Sequence, residues 1–497
     1  MTSYYDLFDF FKNQNLRVII AADAETRISD KKGDKVIEKN PAGGVSIGLD
    51  PIARASRATY IARSKSSVER ELNNRRITVE HPDGNYILQR LFLTEEEENQ
   101  YYYGFANQTI WPLCHVTFQE PIFRKDWYEG FKKINQKFAK QIKEEIRGKT
   151  FLWVNDYQLM LVPKYLEDKK NIIIGMFWHI PWPTWEVFRI LPQKKELLES
   201  LLRCDFLAFH RGYHVRNFFE TVRRELEARI DEETNKVFYN GHETTVKNLP
   251  MGVDTDVIKS LVSAEKDYGP VGRIVRKIFG FGEDKWEMDD YFKKYKVLLG
   301  VDRLDYTKGI KLRLRAIDKF FERHPKYIGK AIYLGVMAPS REKIPSYRNL
   351  KKEVEALSEE INKKYSRRDW KPIHLISKTF PRTEIIKLFR KANVCLVTPL
   401  DDGMNLVSKE FIVSSSLSAN PGMLVLSQFA GSAIDLTKSL IVNPYNLEEV
   451  AEAIKKGLEM DSKEKVRRTK SMVETLEEKN VYEWAREFVT GTLEAAK

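Results

Sequence analysis

Cysteine is scarce in this sequence and long apolar runs are missing, and each absence excludes a class of protein. The three cysteines, Cys114, Cys204 and Cys395, are spread over 497 residues and form neither a disulfide framework nor a metal-binding cluster. No apolar stretch approaches the roughly 18 residues that span a bilayer, and residues 1–13 lack a basic region followed by an apolar one. These absences predict a folded cytoplasmic protein in a reducing compartment, without a membrane partner.

The charge balance is basic, with a formal net charge of +12. Such a charge is compatible with nucleic acid, an anionic surface or a phosphorylated small substrate. Basic residues alternate with acidic ones along amphipathic segments, as in the i,i+4 pair Glu359 and Lys363. No zinc-finger spacing, basic leucine zipper or aromatic RNA-binding signature accompanies the charge. We therefore interpret it as a solvated surface and expect no nucleic-acid partner.

Short runs rich in Val, Ile, Leu and Phe recur along the chain and are separated by longer amphipathic segments. The runs are typical of strands buried on both faces: residues 18–22, 151–154, 172–177, 205–209, 297–301, 332–336, 373–376, 394–397 and 423–426. The amphipathic segments have helical spacing: residues 127–146, 194–202, 309–323, 384–392 and 447–458. This alternation predicts an α/β fold with parallel sheets.

The chain is too long for one ordinary core and suggests about two large domains or three small ones. The alternation of strand and helix is interrupted between residues 242 and 294 and then starts again. We predict two doubly wound domains, residues 1–247 and 248–480, with the C-terminal helix 481–497 added to the first. Trp484 and Phe488 lie one helical turn apart in that helix, placed to pack on a neighbouring element.

In open parallel sheets, ligands bind beyond the carboxyl ends of the strands, so the residues there carry functional information. The strand at 394–398 is followed by a tight turn with Asp401 and Asp402 and by a helix predicted to begin near Met404. A helix N-terminus at this place suits a diphosphate, Glu410 could accept hydrogen bonds from a ribose, and Asp402 could hold a sugar hydroxyl. The alternative is that Asp401 or Asp402 only caps the helix.

Three cations follow other strands of the second domain. Arg303 and Lys308 lie just after one strand, and Arg341 follows the next one along the chain. Arg303 and Lys308 could form a pair that neutralises a departing diphosphate. The alternative is that Arg303 forms a surface ion pair with Asp302 or Asp305. Three cations on one rim favour an anionic ligand.

In the first half of the chain, Asp156 and His179 each follow an apolar strand. We expect both side chains at the same edge of one sheet. The alternatives are a helix-capping role for Asp156 and a satisfied, buried imidazole for His179. His179 precedes Ile-Pro-Trp-Pro, which cannot be the interior of a helix.

These strand ends belong to a set of motifs that resembles the trehalose-6-phosphate synthase family of retaining glycosyltransferases. The motifs recur in the family's order: Trp111-Pro112-Leu113, Val154-Asn155-Asp156-Tyr157-Gln158-Leu159-Met160, His179-Ile180-Pro181, Phe188-Arg189-Ile190-Leu191-Pro192, Val301-Asp302-Arg303-Leu304-Asp305-Tyr306-Thr307-Lys308-Gly309, Pro339-Ser340-Arg341, Asp402-Gly403-Met404-Asn405-Leu406-Val407 and Phe429-Ala430-Gly431. The resemblance is nearly continuous from about residue 101 onward. It implies a GT-B fold, in which two Rossmann-like domains face a central cleft and the last helix crosses back to the first domain.

The resemblance also implies the roles of individual residues. The catalytic set would be Asp156, His179, Arg303 and Lys308. The residues implied for binding the nucleotide-sugar donor are Arg303, Lys308, Phe380, Arg382, Asp402, Gly403, Met404, Asn405, Leu406, Val407 and Glu410. The residues implied for binding a phosphorylated acceptor are Gly44, Tyr102, Trp111, Asp156 and Arg341. The first domain would thus serve the acceptor and the second the nucleotide sugar.

The implied reaction is transfer of glucose with retention of its anomeric configuration. It would use a nucleotide-sugar co-substrate, most simply UDP-glucose, and neither a metal nor another cofactor. Glucose 6-phosphate, giving trehalose 6-phosphate, is the first acceptor to consider, and glycerol 3-phosphate or another sugar phosphate is the alternative. An alternative function of a different class is that of a catalytically silent regulatory or binding subunit. A homo-oligomer is also compatible with the sequence. Because a binding-only protein has no need of a diphosphate-neutralising pair, Arg303 and Lys308 favour the enzyme.

The sequence departs from the family pattern mainly near its N-terminus. The family's first strand ends in Ser-Asn-Arg, whose Arg contacts the acceptor phosphate, but here Asp23 follows Ala21-Ala22. Arg27 and Arg63 are the candidates to replace that charge. Asn155 stands where the family has His, and Gln428 where it has Glu. The motifs implied to bind the donor therefore match the family pattern well, whereas the region implied to bind the acceptor differs from it.

Overall fold

The computed structural model describes residues 2–32, 35–39, 44–166, 171–263, 294–368 and 370–497. The chain forms two compact units, and the first comprises Met1–Gly252 together with Asn480–Lys497. The second unit is Val253–Lys479. Each unit is built around its own parallel sheet, as the alternation of apolar runs and amphipathic segments predicts.

The first unit contains twelve strands in its described residues: β1 (Arg17–Ala24), β2 (Ile28–Lys32), β3 (Lys35–Lys39), β4 (Thr59–Arg63), β5 (Arg76–Val79), β6 (Tyr86–Leu91), β7 (Thr150–Asn155), β8 (Ile172–Trp178), β9 (Phe206–Phe209), β10 (Arg229–Asp231), β11 (Lys236–Tyr239) and β12 (His242–Asn248). Strands β2 and β3 form a separate hairpin. The others form one sheet in the order β10-β11-β12-β9-β8-β7-β1-β4-β6-β5. Its seven central strands are parallel, and the chain reverses its winding direction between β1 and β7.

The predicted interruption beginning at residue 242 is wrong in its first part. Residues 242–248 form β12, which pairs in parallel with β9. The strand was concealed because its sequence, His-Glu-Thr-Thr-Val-Lys-Asn, contains only one apolar residue. The first unit continues to Gly252, beyond the predicted 247, because Met251 is buried and its backbone N–H donates to Nδ1 of His210 at 3.4 Å.

The second unit contains six strands in its described residues: β13 (Lys296–Arg303), β14 (Ala331–Ala338), β15 (Ile373–Ile376), β16 (Val394–Val397), β17 (Met423–Ser427) and β18 (Leu440–Val442). All pair in parallel, in the order β15-β14-β13-β16-β17-β18. The chain places β14 on one side of β13 and β16 on the other. The winding direction therefore reverses between β13 and β16, which is where open α/β sheets bind ligands.

Helices cover both sheets. The α-helices of the described residues are α1 (Tyr4–Gln14), α2 (Gly44–Ser56), α3 (Ser67–Glu71), α4 (Glu95–Glu98), α5 (Trp111–Cys114), α6 (Lys125–Glu145), α7 (Trp185–Phe188), α8 (Lys194–Leu201), α9 (Gly212–Glu225), α10 (Thr255–Ser263), α11 (Ile310–Arg323), α12 (Pro345–Tyr365), α13 (Arg382–Lys391), α14 (Leu406–Ser416), α15 (Leu447–Glu459), α16 (Ser462–Glu478) and α17 (Val481–Ala495). None of the helices in these ranges is long and apolar enough to cross a membrane. The three cysteines are buried, and none of them forms a disulfide bond within the described residues.

The C-terminal helix α17 packs on the sheet of the first unit. Phe488 stacks on Trp153 of β7 with ring centroids 4.3 Å apart, and Trp484 lies edge-on to Phe177 of β8 at 4.9 Å. Gly175 of β8 allows this approach, because a Cβ atom there would lie 2.9 Å from Phe488. The last helix thus returns to the first unit, as the family resemblance implies.

His214 of α9 is an unusual core residue. It is fully buried, and neither ring nitrogen has a hydrogen-bond partner among the described residues. Burial lowers the pKa of His214 to about 3, and the nearby Arg211 and His115 act in the same direction. The folded protein therefore keeps this imidazole neutral at a pH where an exposed histidine is charged.

Replacing His214 with leucine should stabilise the first unit more at pH 5 than at pH 8. Between pH 6.5 and 3 the unfolded chain binds a proton at this site that the folded chain does not, so acid favours unfolding. Removing the imidazole should raise the free energy of unfolding by about 2 kcal/mol more at pH 5 than at pH 8. Denaturant unfolding at both pH values measures the difference, and an equal change at both would contradict the assignment.

Candidate active site

In the second unit, the end of β13 carries the predicted cations. Arg303 is the last residue of the strand, and Lys308 ends a short 3₁₀ turn, Tyr306–Lys308. Gly309 then turns the chain into α11 with φ of +65°, and a Cβ atom there would lie 2.3 Å from the carbonyl oxygen of Thr398. Only glycine fits this position, and it lets the turn with Lys308 sit directly beside the end of β16.

Asp305 lies at the centre of these cations. Its carboxylate is fully buried, with Arg303 at 3.8 Å and Arg341 at 3.3 Å. Burial acts to raise the pKa of Asp305, but Arg341, Arg303 and Lys308 outweigh it, and the net pKa is lowered. The three predicted cations therefore lie together, and the alternative ion pair between Arg303 and Asp305 is also present.

The loop after β16 leads into a helix close to its predicted start, but the cap differs from the alternative reading. The helix α14 begins at Leu406, two residues after Met404, and its N-cap is Asn405, not Asp401 or Asp402. The Oδ1 atom of Asn405 accepts a hydrogen bond from the N–H of Ser408 at 3.1 Å. Asn405 has φ of +78°, a left-handed conformation that asparagine tolerates better than most residues. The capping role of an aspartate is thus excluded here.

Asp402 instead contacts the cation of the neighbouring strand end. Its Oδ2 atom lies 2.5 Å from Nζ of Lys308 and accepts a hydrogen bond from Nδ2 of Asn405 at 3.0 Å. With Arg303 and Arg341 added, three cations face the two carboxylates of Asp305 and Asp402. Asp402 precedes α14 by four residues, and the leading N–H groups of that helix have no acceptor within it. This arrangement is suited to an anion.

A close backbone contact holds the loop of Asp402, Gly403 and Met404 in place. The N–H of Gly431 donates to the carbonyl of Asp402 at 3.0 Å, and the N–H of Ser432 donates to that of Met404 at 2.7 Å. A Cβ atom on Gly431 would lie 1.9 Å from the carbonyl oxygen of Gly403. The Phe-Ala-Gly motif, residues 429–431, therefore holds this loop through close contact between the two backbones.

Further along α14, Glu410 and Val407 lie on the first two turns of the helix. The Oε1 atom of Glu410 accepts a hydrogen bond from Nε of Arg382 at 2.7 Å, and Arg382 is the first residue of α13. Phe380, two residues earlier, is buried. The structure thus joins Arg382 to Glu410, and Phe380 lies two residues before Arg382 in the chain.

Arg313 is a residue of this site that the sequence reading missed. It is 2% exposed, and its guanidinium donates to Asp302 at 2.6 Å, to Oγ1 of Thr398 at 2.9 Å and to the carbonyl of Lys308 at 3.2 Å. It thereby ties the ends of β13 and β16 to the turn of Lys308. The signal was present, because Arg313 stands on the apolar stripe of α11, three residues after Ile310.

In the first unit, Asp156 follows β7 in a strained conformation. Its φ of +71° and ψ of 168° lie in a region that is essentially restricted to glycine. Its Oδ1 atom accepts hydrogen bonds from the N–H groups of Tyr157 at 3.0 Å and His179 at 3.1 Å. Asp156 thus caps the short 3₁₀ turn of residues 157–159, which is the helix-capping role given above as the alternative. Capping alone does not require such a strained backbone, and strain of this kind is associated with functional sites.

His179 lies next to Asp156 and is 8% exposed. Its Nε2 atom is 3.1 Å from Oδ1 of Asn155, and its ring packs against Phe177 with centroids 4.6 Å apart. Burial lowers the pKa of His179 to about 3, so the imidazole is neutral near pH 7. The two strand-end residues predicted to meet, Asp156 and His179, are in direct contact.

Asp23, where the sequence departs from the family pattern, forms an ion pair with Arg63. Asp23 lies at a bulge at the end of β1, and its carboxylate accepts two hydrogen bonds from Arg63 of β4, at 2.9 and 3.0 Å. Glu98 contacts the same guanidinium, which also lies 4.3 Å from the ring centre of Tyr102. Burial acts to raise the pKa of Asp23, but Arg63 outweighs it and the net pKa is lowered. The charge of Arg63 is therefore already balanced.

The other candidate replacement, Arg27, contacts Asp50 of α2 at 3.0 Å. Gly44, predicted to contact the acceptor, is the first residue of α2, while its neighbour Gly43 lies outside the described residues. Trp111 is buried, with its ring 5.9 Å from that of Tyr157. Neither arginine presents an unpaired charge in the structure.

Tyr102 lies in an unusual helix. Residues 99–110 form a π-helix, a rare conformation that is often found at functional sites. The side-chain amides of Asn107 and Gln108 donate to the carbonyls of Tyr102 and Tyr103, at 2.8 and 2.9 Å. The hydroxyl of the adjacent Tyr101 donates to Asp23 at 3.1 Å. The wider helical turn therefore directs two consecutive tyrosines to the pair of Asp23 and Arg63.

Two Rossmann-like units with polar groups at their switch points define the class of GT-B glycosyltransferases. The family model of glycosyltransferase family 20 matches residues 15–493. This chain belongs to glycosyltransferase family 20.

Named relatives are α,α-trehalose-phosphate synthases (UDP-forming). The protein of Pichia angusta is 35% identical over 405 residues, which is 80% of this chain and 82% of that one. The protein of Candida albicans is 35% identical over 404 residues, 80% of this chain and 81% of that one.

Solved structures match over nearly the whole chain. An E. coli structure with bound UDP-2-fluoro glucose has a TM-score of 0.83 and 27% identity, and covers 96% of this chain and 98% of its own. The α,α-trehalose-phosphate synthase (UDP-forming) of Burkholderia xenovorans in complex with glucose-6-phosphate has a TM-score of 0.83 and 30% identity, with 96% and 100% covered. The predicted family and fold are thereby confirmed.

Proposed function

We propose that this protein transfers glucose from UDP-glucose to glucose 6-phosphate, forming α,α-trehalose 6-phosphate and UDP. The observation that carries the proposal is the cluster of Arg303, Lys308 and Arg341 around Asp305, next to the first turn of α14. Within this cluster, Arg303 and Lys308 can take up the charge that develops on a departing diphosphate. The relatives named as UDP-forming synthases support the same donor and acceptor.

The proposed donor roles follow from the contacts in the second unit. Arg303, Lys308 and the first N–H groups of α14 bind the diphosphate, and Glu410 binds the ribose. Phe380 and Arg382 flank the nucleotide. Asp402 accepts a hydrogen bond from a glucose hydroxyl once the diphosphate has taken its place beside Lys308. The nucleotide sugar is a co-substrate, and the proposal includes no metal or separate cofactor.

The proposed acceptor roles fall mainly on the first unit. Asp156 orients the acceptor hydroxyl, and His179 contacts the transferred glucose. Tyr102, Trp111 and Arg341 bind the acceptor phosphate. Arg63 contributes only if the phosphate displaces Glu98, whose side chain is 29% exposed whereas that of Arg63 is 2% exposed.

The pairing of Asp23 with Arg63 favours one alternative, the same chemistry with a different phosphorylated acceptor. The test is the release of nucleoside diphosphate from UDP-, ADP- and GDP-glucose with glucose 6-phosphate, glycerol 3-phosphate or water. We expect release from UDP-glucose with glucose 6-phosphate. Release only with glycerol 3-phosphate would show that the changed strand end altered the acceptor, and donor binding without any release would support a silent binding subunit.

Replacing Asp402 with asparagine should affect UDP and UDP-glucose in opposite directions. In the structure, a diphosphate must compete with Asp402 for Lys308. The neutral asparagine removes that competition, so UDP should bind severalfold more tightly, while loss of a charged acceptor should raise the KM for UDP-glucose about tenfold. Calorimetry with UDP and initial rates with UDP-glucose measure the two effects.

The matched control is Asp401→Asn, which makes the same charge change one residue away. It should alter neither value by more than about twofold, because the carboxylate that pairs with Lys308 is that of Asp402. Weaker binding of both ligands by Asp402→Asn would contradict the competition.

A further inference from the structure

Asn155 is a buried amide at the end of β7, and both ends of its side chain are engaged. Nδ2 donates to the carbonyl of Ala21 at 3.3 Å and to that of Trp153 at 3.4 Å. Oδ1 lies 3.1 Å from Nε2 of His179. Because a carbonyl oxygen can only accept, the two backbone partners require the NH₂ group on their side. Oδ1 is thereby directed at the imidazole.

The orientation of this amide determines where the His179 ring carries its proton. An amide oxygen has no proton to donate, so Nε2 must be protonated to form the hydrogen bond. The ring is neutral near pH 7, since burial lowers the pKa of His179 to about 3. Nδ1 is then left with a lone pair, and the structure gives it no partner among the described residues. The ring can accept one further hydrogen bond.

The neighbouring residue fixes the backbone of the same histidine. Oδ1 of Asp156 accepts the hydrogen bond from the N–H of His179 at 3.1 Å. Asn155 therefore holds the ring of His179, while Asp156 holds its main chain. Two consecutive residues at the end of β7 determine both the position and the hydrogen-bonding character of His179.

We propose that Asn155 is a positioning residue that keeps His179 in the tautomer protonated at Nε2, so that Nδ1 accepts a hydrogen bond from a hydroxyl of the transferred glucose. This inference rests on the proposed function, because the ligand of His179 is the donor sugar. A sugar hydroxyl can donate to Nδ1, whereas a fluorine or methoxy substituent at the same carbon cannot. Asn155 thus makes His179 selective for a hydroxyl group.

The test compares two buried asparagines of the first unit. Asn135 is fully buried, and its amide bonds the carbonyls of Phe131 and Gln158 at 3.0 and 3.1 Å and the N–H of Leu161 at 3.2 Å. None of these partners is His179. Asn135→Ala therefore removes a buried amide of the same kind without touching the imidazole.

The primary readout is the tautomer of His179, measured by NMR of protein labelled with ¹⁵N-histidine and assigned by difference from His179→Gln. We expect a proton on Nε2 in the wild type and in Asn135→Ala, and a mixture of tautomers in Asn155→Ala. Asn155→Asp keeps an acceptor at Nε2 but loses the donor to the two carbonyls, and it should retain the wild-type tautomer because the acceptor fixes the proton. A wild-type proton on Nδ1, or an unchanged tautomer in Asn155→Ala, would overturn the inference.

Kinetics provide the second readout. Asn155→Ala should lower kcat/KM for UDP-glucose about tenfold per folded molecule, and Asn135→Ala should leave it within about twofold. An equal loss in both variants would mean that Asn155 is only structural. A wild type that releases no UDP with any acceptor would instead refute the proposed function, and the NMR result would still decide the tautomer.

Discussion

Lys308→Ala is expected to lower kcat by about 10²- to 10³-fold. The ammonium of Lys308 lies at the switch point of the second sheet and belongs to the cluster that surrounds Asp305. Removing one charge-stabilising donor from a preorganised site has an effect of this size, because the charge on the leaving group is greatest in the transition state. Initial rates of UDP release at saturating substrates measure the loss.

The matched control for this prediction is Lys311→Ala. Lys311 lies one turn further along, in α11, and pairs with Glu353 on the surface. The same charge is removed, yet the rate should change by less than about twofold, since exposed ion pairs contribute little. A Lys308→Ala enzyme with a nearly normal kcat would contradict the assignment of the leaving-group site.

Phe488→Ala should lower the free energy of unfolding of the first unit by about 3 to 5 kcal/mol. The ring is fully buried and lies against Trp153, Phe177 and Phe206, at centroid distances of 4.3, 5.7 and 5.5 Å. Its removal leaves a cavity between α17 and three parallel strands, which cannot close without moving the sheet. Denaturant unfolding followed by tryptophan fluorescence detects the change.

Glu487→Ala is the control, since the adjacent side chain points to the exposed face of the same helix. It should change the free energy of unfolding by less than about 0.5 kcal/mol. A small effect of Phe488→Ala would mean that α17 is not an essential part of the first unit. Loss of the helix should also affect His179, whose ring lies 6.2 Å from that of Trp484.

The parts of the fold that the sequence predicted are those with strong local signals. Buried parallel strands give continuous apolar runs, so β7, β8, β13 and β16 were identified within one or two residues. Residues at the carboxyl ends of such strands meet at one edge of a sheet. For this reason the contact of Asp156 with His179, and the grouping of Arg303 with Lys308, could be expected before the structure.

The parts that were missed depend on contacts between residues far apart in the chain. Arg63 was a candidate for the acceptor phosphate because its charge is visible in the sequence, but its pairing with Asp23 depends on the register of β4 against β1. The alternative reading, in which Asp401 or Asp402 caps α14, rested on Asp being a frequent N-cap. Asn405 takes that position because Asp402 contacts Lys308, a partner 94 residues away.

The most direct test of the account is the structure of the product. The purified protein is incubated with UDP-glucose labelled with ¹³C in the glucose ring and with unlabelled glucose 6-phosphate, and the product is analysed by NMR. The account predicts one labelled α-glucosyl ring joined 1,1 to an unlabelled α-glucose 6-phosphate, formed together with an equal amount of UDP. A labelled product with a β-anomeric carbon, or free labelled glucose as the only product, would contradict it.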